Sequence, residues 1–404
     1  MLGKFLFRTL AVVAVSSLAM TTTQAVTIET VPVGNLGNAD DTRYETSGYG
    51  AVDYTYNIGK YEVTSGQYCE FLNAVDPNGT NALGLYNSSM DSSSFGCQIT
   101  WNATLSTYDF SGGTIELPGS TASDWENRPV NYVSFWDACR FANWLHNGQG
   151  SGSTENGVYT LTPTGIANNT VARNAGWKWA VASEDEWYKA AYHKNDGDTG
   201  NYYDYPTTSD STPGRDMSET TNPGNNANYR DGDYLIGSPY YRTEVGQFAL
   251  SNSPYGTFDQ GGNVLEWNEA MVSASSRGLR GGRWSLGTSL MQASSRVNIA
   301  PGSESVSIGF RVASSSEPVP GDTDNDGHVD ETDAAALASN WCKPGGWAQG
   351  DFNHDGIVNA ADASIMAANW GTGTENETRN TPEPGSMVLL ICGLVGLMYR
   401  RRRS

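Results

Sequence analysis

The sequence predicts an α+β fold in which a large, loop-rich domain is followed by a small all-α module. Charged residues make up only 17% of the 404 residues, whereas 46 glycines, 21 tyrosines and 12 tryptophans indicate an aromatic globular domain with many turns. Within residues 27–313, short extended segments alternate with amphipathic helical ones. Near the C-terminus, residues 321–341 align without a gap with residues 350–370, and this offset of 29 residues indicates a repeated unit.

Residues 1–25 predict a secretion signal. Lys4 and Arg8 precede an apolar run over residues 9–20, and Ala25 supplies the small residue that a signal peptidase requires. The alternative for the apolar run is a buried strand. Cleavage after the signal starts the mature chain near Val26 and directs it to the cell envelope or the extracellular space.

Three segments of the large domain are predicted to contain helices. Residues 60–75 predict a strand that leads into an amphipathic helix, and residues 128–148 predict an extended segment followed by a helix. In residues 177–193, Ser183 and Glu186 have the spacing of a capping box. The helix within residues 128–148 has apolar side chains on one side and a glycine as its C-terminal cap, namely Phe135, Ala138, Cys139, Ala142, Leu145 and Gly148.

Two short polar segments, residues 314–320 and 372–381, are predicted linkers. They divide the mature chain into a domain over residues 26–313, the repeat over residues 321–371 and a tail over residues 382–404.

Each copy of the repeat has the donor spacing of a 12-residue calcium loop. Oxygen-bearing side chains occupy positions 1, 3, 5, 9 and 12, a backbone carbonyl occupies position 7, and a glycine at position 6 permits the sharp turn. The first copy supplies Asp322, Asp324, Asp326, the carbonyl of His328, Asp330 and Asp333. The second supplies Asp351, Asn353, Asp355, the carbonyl of Ile357, Asn359 and Asp362. The alternative is a pair of Asp/Gly turns that only cap helices.

Position 12 is aspartate in both copies, and Pro320 and Gly321 stand where an entering helix would be. Each loop is instead followed by one helix with an apolar face. This arrangement resembles type I dockerins, which implies two bound Ca²⁺ ions and a pair of helices that binds a cohesin domain. The positions at which that family concentrates partner choice are Glu331–Thr332 in one copy and Ala360–Ala361 in the other. The partner therefore stays open between a cohesin-like protein and another surface protein.

The tail combines Pro382, Glu383 and Pro384 with an apolar stretch over residues 387–399 and four terminal arginines. As a helix this stretch rises about 20 Å, which is less than the roughly 30 Å of a bilayer core. The tail resembles the PEP-CTERM sorting signal, which implies a short membrane helix and processing by an exosortase. The alternative is an ordinary single-pass anchor.

The chain is acidic, with a formal net charge of -20. Removal of both ends takes away six basic residues and no acidic ones, so the mature charge falls to -26. This charge argues against nucleic acid and anionic membrane surfaces as partners, while calcium and neutral glycans remain open.

Three further segments of the large domain follow the predicted helices in a specific order: residues 255–270, 277–285 and 308–313. Together with the three helical segments described above, they form an ordered set of six that resembles the formylglycine-generating enzyme (sulfatase-modifying factor) family. The resemblance covers nearly all of residues 27–313. It implies an α+β fold related to C-type lectins.

Active members of that family hold copper with two cysteines that follow a glycine pair, a serine and an aromatic residue. Counted from Gly281, the cysteine positions fall on Leu286 and Met291, and the serine position falls on Arg283. Thioether and aliphatic groups cannot replace thiolates as the family's copper ligands. The sequence therefore predicts no copper site and no catalytic residue of the family type.

A second branch of the family uses an iron site of clustered histidines. The large domain contains only His146 and His193, far apart in sequence, so no iron site is expected. Cys69, Cys97, Cys139 and Cys342 remain in an oxidising compartment, and their pairing stays open.

The resemblance also implies calcium in the large domain. The matching atoms are the side chains of Asp259 and Glu266 with the carbonyls of Gly262 and Val264; alternatively, Glu266 only accepts backbone hydrogen bonds. A second family calcium would use Asn228 and the carbonyl of Tyr229, but residues 236–239 offer no matching aspartate.

Arg283 and Trp284, together with Arg280 and Arg311, are candidates for a retained binding groove. The alternatives are that Arg311 forms an internal ion pair and that Trp284 belongs to the core.

The favoured function is an exported, non-catalytic recognition or adhesion protein that binds a glycan or a protein through the large domain and docks through the calcium module. Two alternatives are an oxidoreductase of the same family that uses other ligands, and a structural matrix protein.

Overall fold

The computed structural model describes residues 25–110, 123–315, 320–323, 329–353 and 355–371. The secretion signal before Ala25 and the C-terminal sorting signal lie outside the described residues. In the part that is described, no helix is both long and apolar enough to cross a membrane.

The large domain confirms the α+β prediction. Its described residues form six helices and ten short strands, in the order β1 (Thr30–Val33), β2 (Tyr56–Gly59), α1 (Ser65–Val75), α2 (Ser89–Ser92), β3 (Thr100–Asn102), β4 (Thr107–Asp109), α3 (Ser123–Glu126), α4 (Phe135–His146), α5 (Pro163–Ala167), β5 (Trp179–Val181), α6 (Glu184–Tyr192), β6 (Leu265–Ser273), β7 (Ser276–Arg280), β8 (Val297–Ile299), β9 (Ile308–Phe310) and β10 (Val312–Ser315).

Two four-stranded sheets organise this domain. The first has the order β1-β2-β10-β5 and is antiparallel; the second has the order β8-β7-β6-β9, with β9 parallel to β6. Successive residues of a strand point to opposite faces. Accordingly, Val312 of β10 belongs to the core that contains α1 and α4, whereas Ala313 belongs to the core that contains α6. Strand β10 continues through Ser314 and Ser315, so the sheet extends two residues into the segment predicted as a linker.

Helix α1 begins where the capping chemistry places it. The Thr64 hydroxyl accepts a hydrogen bond from the Gln67 N–H, and the Gln67 side chain accepts one from the Thr64 N–H. The strand expected before this helix is β2, but it ends at Gly59, one residue before the segment that predicted it.

Helix α4 is more buried than its pattern indicated. Ser134 and Asp137 form its capping box, and Asn147 is its C-terminal cap, with Gly148 following at φ +85°. The apolar side was predicted correctly, yet every residue from Phe135 to Leu145 is buried because α4 packs against α1, β5 and β6. The polar residues on its other side are therefore satisfied inside the protein.

Between α6 and β6 the chain has no regular helix or strand. Hydrogen bonds to buried side chains hold this long region in place. Arg242, for example, is fully buried and donates to the carbonyls of Phe95 and Gly96 at 2.8 and 3.0 Å. Loops therefore form much of the surface on which a site can be built.

The C-terminal module contains the two predicted helices, α7 (Glu331–Ser339) and α8 (Ala360–Asn369). Its small core consists of Val329, Leu337, Phe352, Val358, Ala363 and Met366. Val329 and Val358 occupy position 8 of their loops, so each loop contributes one side chain to the core. The loops and helices thus form one folding unit.

Candidate functional site

The positions that hold copper in the family carry no metal-binding group here. Met291 is fully buried in a small cluster with Tyr205 and Tyr229, while the Leu286 side chain is 38% exposed. The position of the family serine carries the half-buried Arg283. These three positions therefore carry neither the thiols nor the serine hydroxyl of the active family members.

The two histidines of the domain have structural roles. The buried His193 donates from Nε2 to the Thr199 carbonyl at 3.0 Å, and its Nδ1 lies 2.8 Å from the Tyr255 hydroxyl. His146 Nδ1 accepts the N–H of Lys178 at 3.0 Å. Burial lowers the pKa of both imidazoles. The structure does not bring the two rings together as an iron site would require.

The described cysteines are unpaired. Cys69, Cys97 and Cys139 are buried, and Cys342 is exposed. Burial raises the pKa of the three buried thiols, which makes them poor nucleophiles and poor metal ligands.

Glu266 forms a fully buried ion pair with Arg311. The guanidinium donates from Nε to Oε2 at 2.8 Å and from Nη2 to Oε1 at 2.9 Å, and Trp187 Nε1 also donates to Oε2 at 2.7 Å. Arg311 further donates to the carbonyls of Gly59 and Phe258. This confirms the internal ion pair that was the alternative for Arg311.

The four atoms carried over as a calcium site do not fit the ion as a set. Both carboxylate oxygens of Glu266 are bonded to a cation, and Asp259 Oδ2 accepts the N–H of Gly246 at 2.6 Å. Gly262, at φ +99°, lies so close to Asn228 that a Cβ there would be 2.4 Å from the Asn228 carbonyl. The turn around Val264 is therefore braced by side chains and tight backbone packing.

Asn228, expected to bind a second calcium with the Tyr229 carbonyl, is held by its amide. Its Nδ2 donates to Asn263 Oδ1 and to the Tyr241 carbonyl, while Oδ1 is buried without a hydrogen bond. A single side-chain oxygen does not make a calcium site, and residues 236–239 contain no aspartate that could add a second one.

Glu62 is a buried acid that sequence reasoning missed. It is 1% exposed, and neither of its carboxyl oxygens has a hydrogen-bond partner. Burial, reinforced by the neighbouring Asp259 carboxyl, raises the pKa of Glu62 well above its usual range. Burial also raises the pKa of Asp259 to about 6. The signal in the sequence was an acid between Tyr61 and Val63 before a buried helix, but its neighbour Asp259 is remote in sequence.

These two carboxyls predict a stability that falls as the pH rises. Their folded pKa values lie above the unfolded ones, so their contribution is complete below about pH 4 and is lost as the pH rises through the folded values. Glu62→Gln is therefore expected to stabilise the chain at pH 8 in chelator and to change its stability little at pH 4. Thermal unfolding checks this, with the exposed Glu70→Gln as the control. If Glu62→Gln instead lowers the stability at pH 8, and does so only when calcium is present, the carboxyls of Glu62 and Asp259 bind a cation.

Trp284 lies in an aromatic cluster and not on an open groove. It is 2% exposed and packs against Phe95, Tyr234 and Tyr241, with ring centroids 5.5, 5.2 and 4.9 Å away. The exposed member is Tyr234, at 40%. The buried Arg280 pairs with Glu184. Of the three arginines among the groove candidates, only Arg283 lacks a carboxylate partner in the described chain.

The position-12 aspartates of the two calcium loops make equivalent hydrogen bonds. In each copy one carboxylate oxygen accepts the N–H of position 2, and the other accepts the N–H of position 9. The bonds run from Thr323 to Asp333 Oδ1 (2.6 Å), from Asp330 to Asp333 Oδ2 (2.8 Å), from Phe352 to Asp362 Oδ1 (2.9 Å) and from Asn359 to Asp362 Oδ2 (2.9 Å). Position 12 thus ties the first residues of the loop to the start of the helix.

The second loop gathers its remaining oxygen groups on one turn. The Asp351 carboxylate accepts the N–H groups of Asp355 and Gly356 at 3.1 and 2.9 Å. Asp355 in turn accepts the N–H of Ile357 and the Nδ2 of Asn353. The Ile357 N–H bond lowers the pKa of Asp355, which keeps this exposed carboxylate ionised. Carboxylate, amide and carbonyl oxygens of this kind are the donors that calcium prefers.

The capping alternative for these loops is also correct. Asp330 and Asn359 cap α7 and α8, and each forms a capping box with the position-12 aspartate. The capping box and the predicted calcium ligands share the position-12 aspartate, while position 9 often reaches calcium through water. Asp322 is described and buried, whereas Asp324, Asp326 and His328 lie outside the described residues.

Comparison with known proteins agrees with this architecture. The model of the sulfatase-modifying factor enzyme 1-like domain matches residues 19–316, and the model of the dockerin type I domain matches residues 320–369. No curated protein matches the chain.

Solved structures similar to the chain include three proteins. Treponema denticola variable protein 1 is 20% identical, covers 71% of this chain and 94% of its own, and has a TM-score of 0.41. CarF is 18% identical, with coverages of 72% and 99% and a TM-score of 0.43. PvdO from Pseudomonas aeruginosa is 18% identical, with coverages of 71% and 92% and a TM-score of 0.36. The two family-model matches alone show that the chain belongs to the sulfatase-modifying factor enzyme 1-like family and carries a C-terminal dockerin type I domain.

Proposed function

We propose that this protein is an exported, non-catalytic recognition protein. Its large domain binds a glycan or a protein, and its dockerin domain attaches it to a cohesin-like surface protein in a calcium-dependent way. The observation that carries the non-catalytic part is the replacement of the family's copper ligands by Leu286 and the buried Met291. No cysteine occurs between Cys139 and Cys342, so no neighbouring thiol could take over that role.

The docking part is supported by the dockerin family match and by the repeated geometry of the two loops. Dockerin domains bind calcium and typically bind cohesin partners. Asp333 and Asp362 make the same pair of backbone hydrogen bonds in both copies. Two loops of one design, each followed by a helix, suit two Ca²⁺ ions that order the docking surface.

Export and processing complete the proposal. Residues 1–25 would be removed by signal peptidase, and the tail over residues 382–404 would be processed by an exosortase. The protein would then act in the cell envelope or outside the cell. An envelope or matrix location also places a polysaccharide within reach of the large domain.

The non-catalytic part predicts that the mature protein does not convert cysteine to formylglycine. A Cys-x-Pro-x-Arg peptide incubated with the protein, copper and oxygen is expected to keep its mass, because no thiolate is present to hold the metal. Mass spectrometry of the peptide checks this, with an active family member as the positive control. Formation of the aldehyde would support the oxidoreductase alternative and reject this part of the proposal.

A further inference from the structure

Arg283 is a half-buried cation without a counter-charge in the described structure. Its one hydrogen bond runs from Nη1 to the Ser307 hydroxyl at 3.0 Å, and its Nε is buried without a partner. Burial lowers the pKa of this guanidinium, and no carboxylate opposes the effect. Two other arginines of this region are paired, Arg280 with Glu184 and Arg311 with Glu266, whereas Arg277 of β7 donates to Asn169 and to backbone carbonyls. Because buried charge is normally paired, Arg283 has an unmet demand for an anion.

Trp284, which follows Arg283 in the chain, belongs to an aromatic platform, defined here as Phe95, Tyr234, Tyr241 and Trp284. Tyr234 is 40% exposed, and its ring lies 5.4 Å from Tyr241 and 5.2 Å from Trp284. Phe95 packs against Tyr241 at 4.7 Å. The exposed ring is thus backed by three others, which fixes its orientation before any ligand binds.

Arg283 and the platform are connected through the chain and through one hydrogen-bonded side chain. Arg283 precedes Trp284 in the chain, and its partner Ser307 follows Val306. The Asn131 amide donates both to the Val306 carbonyl at 2.6 Å and to the Phe95 carbonyl at 2.8 Å. This bridge joins the segment that holds the guanidinium to the segment that holds the far side of the platform.

A second arginine flanks the exposed ring. The Arg230 guanidinium lies 5.4 Å from the centroid of Tyr234, and its Nε donates to the Gly232 carbonyl. Like Arg283, it has no salt bridge to a described carboxylate. In a chain of net charge -20, two such arginines around one aromatic surface stand out against the general charge.

We infer that the large domain recognises a carboxylated sugar within a polysaccharide, with the carboxylate on Arg283 and the sugar ring on Tyr234. This inference rests on the proposed recognition function and names its ligand class. Guanidinium and carboxylate match in shape and charge, and the C–H face of a sugar ring packs on an aromatic face. The acidic surface opposes densely charged polyanions, so a polymer in which acidic and neutral sugars alternate fits best.

Binding of a hyaluronan tetrasaccharide, which alternates glucuronate with a neutral amino sugar derivative, tests the inference. Isothermal titration with the mature protein is expected to show at least tenfold tighter binding than with the same tetrasaccharide after its carboxyl groups are reduced to alcohols. Arg283→Gln should weaken binding of the acidic form about ten- to a hundredfold and leave binding of the reduced form unchanged, because only the acidic form makes a charge-assisted bond. Arg283→Lys should restore part of the loss. Tyr234→Ala should weaken both forms equally.

Lys194→Gln is the matched control. It also removes one positive charge, but Lys194 already forms a salt bridge with Asp210 and is not part of the proposed site. Thermal unfolding and calcium-dependent docking of every variant verify that the chain is folded. Equal binding of both tetrasaccharides, or unchanged binding by Arg283→Gln, would overturn the inference. If the wild type binds neither tetrasaccharide but still binds its surface-protein partner in calcium, the acidic ligand is rejected and the proposed function stands. If it binds neither a tetrasaccharide nor a surface protein, the proposed function is rejected as well.

Discussion

Asp362→Ala is expected to disorder the second calcium loop and remove one calcium ion from the protein. The substitution leaves the buried N–H of Phe352 and the N–H of Asn359 without their acceptor and removes half of the α8 capping box. Each unsatisfied buried donor costs about 1 to 3 kcal/mol, and loss of a cap costs about 0.5 to 2 kcal/mol. The described part of the module has six buried apolar side chains, and so small a core cannot compensate for that loss.

Calcium titration and hydrogen exchange of residues 350–371 measure this effect in the full chain. The wild type should bind two ions with strong protection of α8 in calcium, and the variant should bind one with little protection. Ser364→Ala is the matched control because Ser364 is exposed on the same helix and its hydroxyl only returns to the Ala360 carbonyl. Two ions and unchanged protection in Asp362→Ala would contradict the role given to position 12.

Arg311→Met is expected to produce the largest loss of stability in the large domain. It leaves the Glu266 carboxylate fully buried with Trp187 as its remaining side-chain donor. Removal of one partner of a buried ion pair typically costs about 3 to 5 kcal/mol, because the other charge stays uncompensated. It also frees the Gly59 carbonyl at the end of β2.

Urea unfolding of the large-domain transition measures this loss. Glu29→Gln is the control, since the pair of Glu29 with Lys60 lies on the surface and such pairs contribute about 0 to 1 kcal/mol. The double variant Glu266→Gln, Arg311→Met should be more stable than Arg311→Met alone, because no unpaired charge remains. A loss below about 1 kcal/mol in Arg311→Met would show that the pair does not brace the fold.

Local signals in the sequence predicted local structure correctly. The Ser183 and Glu186 spacing predicted the start of α6, and the donor pattern of Asp351 and Asp362 predicted a closed loop before α8. These features depend on residues a few positions apart, so the sequence contains all the partners. The end of α4 was predicted to within one residue: Asn147 is the cap, and Gly148 follows it with the expected left-handed backbone.

Tertiary partners could not be predicted in the same way. Nothing near Glu266 indicates that Arg311 and Trp187 occupy its oxygens, and nothing near Glu62 indicates a neighbouring Asp259. The long loop region between α6 and β6 decides which charges meet, and it lacks the periodicity that sequence reasoning uses. The groove prediction therefore named Trp284, which is buried, and missed Tyr234, the exposed ring that packs against it.

Affinity capture from the producing cell's own envelope, in calcium and then in chelator, tests the central claim most directly. The bait is the mature chain over residues 26–384, beside the same chain with Asp333→Ala and Asp362→Ala. The account predicts one saturable cohesin-like protein that is retained in calcium, released by chelator and absent with the double variant. Retention of the same proteins in chelator and by the double variant would contradict calcium-dependent docking as the function of the C-terminal module.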